Sequence, residues 1–217
     1  MLFYLNLASS LSIIFACVIG LSRFKKILKS YRPFVYYATL AFLNEFLSAT
    51  LVLNGFRHGL NSNIYILVEF ILILWQFGEW GVHQHKKLLY QVCGVVLSIV
   101  WIWDNLILNS PETNNQVFRM SYSFLLIFLS IDQINHVIVT EKRNILLNAR
   151  FIICAGFLIF YTFKVLYGVF VLVSPKMSLN FQIYMLVIMF TVNFIVNLIF
   201  AYAALWIPTK QRFTLPY

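Results

Sequence analysis

The chain has 217 residues, 61% of them hydrophobic and 11% charged, with a net charge of +9 and a mean hydropathy of +0.83. A soluble domain carries about 25% charged residues; this chain has too little polar surface to cover a water-soluble globule, and a lipid bilayer is the solvent that suits it. Its Lys and Arg fall in short clusters between apolar runs, which excludes a nucleic-acid groove and points to loops at a membrane surface.

A helix crosses the hydrocarbon core with about 20 mostly apolar residues. Seven stretches qualify, at approximately 2–22, 34–55, 63–82, 88–108, 116–139, 150–173 and 180–207. They predict an all-α, single-domain bundle over residues 1–217. The first stretch lacks the basic leader of a signal peptide and is expected to be a retained span; its Ala16 and Gly20 make a small-xxx-small packing pair. Pro33 precedes the second span, and none of the five prolines falls inside one, so straight helices are expected. Cys17, Cys93 and Cys154 fit core packing, with no metal or redox spacing.

Loop charge sets an expected orientation. The first connection holds Arg23, Lys25, Lys26, Lys29 and Arg32, the third Lys86 and Lys87, the fifth Lys142, Arg143 and Arg150, and the tail Lys210 and Arg212. The even-numbered connections are poorer in cations, so the amino terminus is expected outside and the carboxyl terminus in the cytoplasm. Trp101 and Trp103 near one membrane face, and Trp80 and Trp206 near the other, are expected to form aromatic belts, with Trp75 deeper.

Five acidic residues, Glu45, Glu69, Glu79, Asp104 and Asp132, lie inside these spans. A charge at mid-span costs about 2.5–3.5 kcal/mol on insertion scales, so such groups face the bundle interior or water and pair with something. At a helical rise of about 1.5 Å per residue, Glu45 falls near mid-membrane and Glu69 in the outer half, level with Lys164 of the sixth span. Glu45, Glu69 and Lys164 are therefore expected to converge in a polar chamber that opens outward. Gln76 shares a stripe with Glu69, and Tyr161 lies on the face of Lys164. Asn193 and Asn197 recur on one face of the seventh span, as packing groups or ligand contacts. Asp132 and His136, four residues apart, suit a proton or ion path towards the inside. Glu79, near the inner edge, is expected to reach interfacial water or to pair with His83 or Lys86.

Three stretches, LNEFLS at 43–48, NIYILVEFILIL at 63–74 and NFIVNLIFAYAALW at 193–206, resemble a family of small seven-span membrane proteins of bacteria with no assigned activity. The resemblance implies the seven-span fold and a bacterial inner membrane. The stretch LWQFGEWGVHQHKK is also similar to the W-x-x-W segment of bacterial vitamin-precursor transporters, although Trp75 and Trp80 depart from that spacing. Microbial rhodopsins carry a lysine in the last span, which is absent here, and the D-R-Y and N-P-x-x-Y motifs of G-protein-coupled receptors are absent too.

No H-E-x-x-H, G-x-S-x-G or phosphate-loop motif is present, and the four histidines form no metal set, so no cofactor is expected and an enzyme ranks last. The leading expectation is a carrier or channel for a small solute, ion or proton. A sensory module that signals through a membrane partner follows, then a structural subunit of an assembly with other proteins or further copies of this chain.

Overall fold

The computed structural model describes residues 2–57, 59–81, 87–110, 113, 115–141, 144–173 and 177–209. Among these, seven helical spans are long and apolar enough to cross a membrane. The helices are α1 (Leu2–Leu11), α2 (Ile14–Ser22), α3 (Arg32–Leu53), α4 (Gly59–Trp80), α5 (Lys87–Ile102), α6 (Gln116–Thr140), α7 (Ala149–Val173) and α8 (Leu179–Trp206). The first span is α1 with α2. The fourth is α5 continued by a π-helical segment, Trp103–Leu108.

Local chemistry explains several boundaries. Pro33 sits in the first turn of α3, where its missing N–H costs nothing. Gly55 and Gly81 adopt positive φ of 76° and 43° just beyond α3 and α4, the left-handed conformation that ends a helix. Ser178 accepts a bond from Phe181 N at the start of α8, and Asn148 Oδ1 does the same for Arg150 N at 2.9 Å near the start of α7. Gly156 lets α7 approach α8 closely; a Cβ there would lie 2.5 Å from the Phe200 ring.

Helix α6 packs along α7, α7 along α8, and α3 along α4, while α2 and α1 lie against α8 and α3. The fourth span is the least buried and lies at the edge, against α4 and α6. The middle of the bundle is aromatic. Phe157 meets Phe200 at 5.2 Å between centroids and Tyr37 at 5.6 Å, both edge-on, and Phe34 and Phe77 complete the cluster. Each such pair is worth about 0.5–1.5 kcal/mol beyond its buried area.

One end of the bundle carries Asn63, Asp104 and Arg119. The other carries Arg23, Tyr31, Trp80 and Ile207. At this second end, Arg23 donates through Nη1 to Ala204 O at 2.6 Å and to Leu205 O, and through Nη2 to Ile207 O at 3.2 Å. Its guanidinium thereby satisfies carbonyls that the end of α8 leaves open. Beside it Leu28 N donates to Pro208 O at 3.0 Å, and Ile27 and Thr209 form an isolated bridge.

Two expectations need correction. The first span is not a continuous straight helix. It breaks at Ser12 and Ile13 with neither proline nor glycine, because Ser12 Oγ bonds back to Ser9 O in place of the helical ladder. Trp80 is not a belt residue either. It is 4% exposed, packed between Tyr31 and Phe77 under the Arg150 guanidinium, because the 3-10 turn Lys29–Tyr31 folds over it. Trp103 and Trp206 do face outward. Pro111, Glu112, Lys142, Arg143, Pro175, Lys176, Lys210, Arg212 and Pro216 lie outside the described residues, as do His83, His85 and Lys86.

Candidate functional site

The acid of α4 and the cation of α7 meet. Lys164 Nζ lies 3.4 Å from Glu69 Oε2, with the two side chains 16% and 2% exposed. Tyr161 donates its hydroxyl to Glu69 Oε1 at 3.0 Å, and Tyr122 of α6 donates to Oε2 at 3.1 Å. Lys164 also donates to the Tyr122 hydroxyl oxygen and sits over the rings of Tyr122, Phe160 and Tyr161. Glu69 therefore has a countercharge and two neutral donors, which is what a buried carboxylate requires.

Glu69, Lys164 and Phe160 wall a chamber of about 160 Å³, with Tyr122 and Tyr161 behind Glu69. Its remaining polar lining includes Glu45, Arg119, Asn44, Ser62, Asn193 and Asn197. A wider compartment of about 630 Å³ continues from it and shares Ser10, Asn44, Glu45, Ser62, Arg119 and Lys164 with the smaller one. Its other walls include Phe3 of α1, Val52 of α3 and Gln116 of α6, all towards the Asn63 end. The result is a funnel. The Glu69–Lys164 pair and Tyr37 stand at its narrow base, and below Tyr37 the aromatic cluster closes the bundle.

Glu45 is half-buried, with Ser10 and Asn44 in hydrogen-bonding reach. Arg119 of α6 donates through Nη2 to Ser62 Oγ and Asn63 Oδ1, each at 2.9 Å. The broken first span forms the facing wall. Ser10 lines the chamber, and Asn197 Nδ2 reaches across from α8 to Ser9 O and Ser12 Oγ, each at 3.0 Å. Asn197 thus fills the gap that the break leaves in the backbone ladder, as interrupted spans require where they border a cavity.

The expected residues divide accordingly. Glu45, Glu69, Lys164, Tyr161, Asn193 and Asn197 come together, with Tyr161 through its bond to Glu69. Gln76 does not join them. Its Oε1 accepts from Phe34 N at 2.8 Å and its Nε2 donates to Ser30 O at 2.6 Å, so it tethers the start of α3 one turn below the chamber. Asp132 and His136 remain half-buried on α6, where Asp132 and Gln133 neighbour Tyr90 of α5, and they line neither compartment. Asp104 is fully buried and structural: its Oδ2 accepts from Phe118 N at 2.8 Å, near the start of α6, and its Oδ1 from Asn109 Nδ2 at 3.0 Å. Glu79 accepts from Trp75 Nε1 at 3.1 Å.

Arg119 and Tyr122 were missed. Arg119 counts in the sequence with the charge of the fourth connection, just beyond Glu112, although the expected span 116–139 already contains it; its place on the chamber wall was not anticipated. Tyr122 and Ser123 lie three and four residues after Arg119, a polar stripe that the sequence does display. No protein-family model, curated protein or solved structure matches the chain.

Proposed function

We propose that the protein is a carrier for a small polar solute, with its amino terminus outside, its carboxyl terminus in the cytoplasm and the funnel open to the outside of a bacterial inner membrane. The observation that carries this reading is the funnel itself, a polar chamber that ends on a Glu69–Lys164 pair beside an interrupted span. Interrupted helices at membrane depth supply backbone and side-chain groups for binding in carriers that alternate access. A purely structural ion pair needs no chamber beside it, and the polar lining of this chamber extends well beyond the pair.

The closed end supports a carrier over an open channel. Below the chamber stand the Tyr37, Phe157 and Phe200 rings, and then the Arg23 contacts with α8. Release to the inside requires both layers to part, which is the gated rocking of a carrier. The same reading assigns Asp132 and His136 to the route from the chamber to the inner surface.

The test is uptake by proteoliposomes containing the full chain, across labelled amines, carboxylates, amino acids, sugars and nucleobases. Saturable uptake of at least one class is expected, with loss of at least about ten-fold in Glu69→Gln. Absence of saturable uptake across the whole set contradicts the reading.

A further inference from the structure

We infer that the chamber takes a small zwitterion, a molecule carrying both an ammonium and a carboxylate on a short backbone; this rests on the carrier reading and names its substrate class. The charges on the chamber wall do not all pair locally. The chamber wall holds two carboxylates, Glu45 and Glu69, and two cations, Arg119 and Lys164. Glu69 and Lys164 neutralise each other, and two tyrosine hydroxyls complete the carboxylate. Glu45 and Arg119 are not matched in this way.

Glu45 is held by Ser10 and Asn44, and Arg119 by Ser62 and Asn63, all neutral groups. Both Arg119 bonds run through Nη2, so Nη1 is uncommitted among the described residues. Each lines the same chamber with no opposite charge in bonding contact among the described residues; Glu45 feels Lys164, and Arg119 feels Glu69 and Asp104, only at longer range. A simple amine would answer Glu45 and leave the Arg119 guanidinium unanswered. A simple carboxylate would do the reverse, and a sugar would answer neither. A ligand of both signs answers both walls while adding no net charge to the chamber.

The side-chain types agree. A guanidinium presents a planar fork that suits a carboxylate, and a carboxylate accepts the donors of an ammonium. Asn44, Asn193 and Tyr65 on the same wall offer neutral partners for the remaining ligand atoms. The chamber is small, about 160 Å³, and opens into the wider compartment, so short zwitterions are the natural first probes.

The experiment is equilibrium binding to the purified full chain in lipid nanodiscs. The probes are labelled glycine, β-alanine and 4-aminobutyrate, each against an amine and a carboxylate of matched length. At least one zwitterion is expected to bind saturably and at least about ten-fold more tightly than either matched probe, the scale of one charge-assisted hydrogen bond. Glu45→Gln is expected to shrink the advantage over the carboxylate, and Arg119→Gln the advantage over the amine. These ratios are read within one variant and are independent of the fraction folded. An amine or carboxylate that binds as tightly as its zwitterion overturns the inference, as do ratios unchanged in both variants. Failure of every zwitterion to bind, with saturable uptake of another solute class intact, overturns the inference and spares the carrier reading. Loss of both overturns both.

Discussion

Glu69 shows how a carboxylate survives at 2% exposure inside a bilayer: one ammonium and two phenol hydroxyls surround it. Removing the ammonium leaves a buried charge without its counterion, a change that costs about 3–5 kcal/mol where such pairs have been broken. Lys164→Met is therefore expected to lower the thermal unfolding midpoint in detergent markedly. Lys164→Met with Glu69→Gln together should recover most of that loss, because no net charge then remains to be paired. Equal losses in the single and double variants would mean that the pair contributes nothing as a pair. Convergence of these two residues was legible in the sequence, since an acid and a lysine at one depth in an apolar chain have few other places to go. Gln76 was legible only as a residue facing protein. Its partners, Ser30 O and Phe34 N, belong to a turn in another part of the chain, and no periodicity reveals them. Arg119 was hidden by its position near a span mouth, where loop charge and chamber charge look alike.

Among the elements, the broken first span carries the most information. Composition marks α1 and α2 as one continuous apolar run, and the hydropathy of the run gives no hint of the interruption at Ser12 and Ile13. The signal lies in the serines at positions 9, 10 and 12, which compete with the backbone for its own hydrogen bonds. Asn197 resolves that competition by bonding to Ser9 O and Ser12 Oγ. Asn197→Ala removes the bonds from α8 to Ser9 O and Ser12 Oγ, while Ser9 O keeps its bond from Ser12 Oγ, and is expected to cost about 1 kcal/mol, measured as the shift in thermal midpoint. Asn193, one turn away, lines the chamber and makes no such bond to the first span among the described residues. Asn193→Ala is expected to leave the midpoint nearly unchanged and to weaken ligand binding. The reverse pattern would reassign the two residues. In the fourth span, Asp104→Ala removes an acceptor from Phe118 N and should destabilise the chain by about 1 kcal/mol, whereas Asp104→Asn, which still accepts, should cost less.

On the scale of the whole molecule, the two ends differ in construction. At the Asn63 end the spans part around the funnel; at the Arg23 end they are stitched by contacts to α8 and by the chain beyond it. Seven spans and their approximate limits were legible because hydropathy and length suffice for them. This asymmetry was not, since it depends on which side chains meet across helices far apart in sequence. If the Arg23 contacts hold this end shut, Arg23→Ala is expected to raise amide exchange in the last turn of α8, around Ala203–Ile207, by about ten-fold, with α4 unaffected. Unchanged exchange there would mean that these bonds hold nothing closed.

The central claim is that a water-filled funnel reaches Glu69 and Lys164 from the outer face. Its most direct test is thiol accessibility in sealed, oriented vesicles. Cys17 and Cys154 are buried and Cys93 half-buried, so Cys93→Ala gives a quiet background. On it, Asn193→Cys reports the chamber and Val96→Cys, 51% exposed on the edge span, reports the lipid face. The account predicts that a membrane-impermeant thiol reagent labels position 193 from the outside, does not label it from the inside, and leaves position 96 unlabelled. Position 193 inert from both faces, or labelled only from the cytoplasmic side, would contradict it.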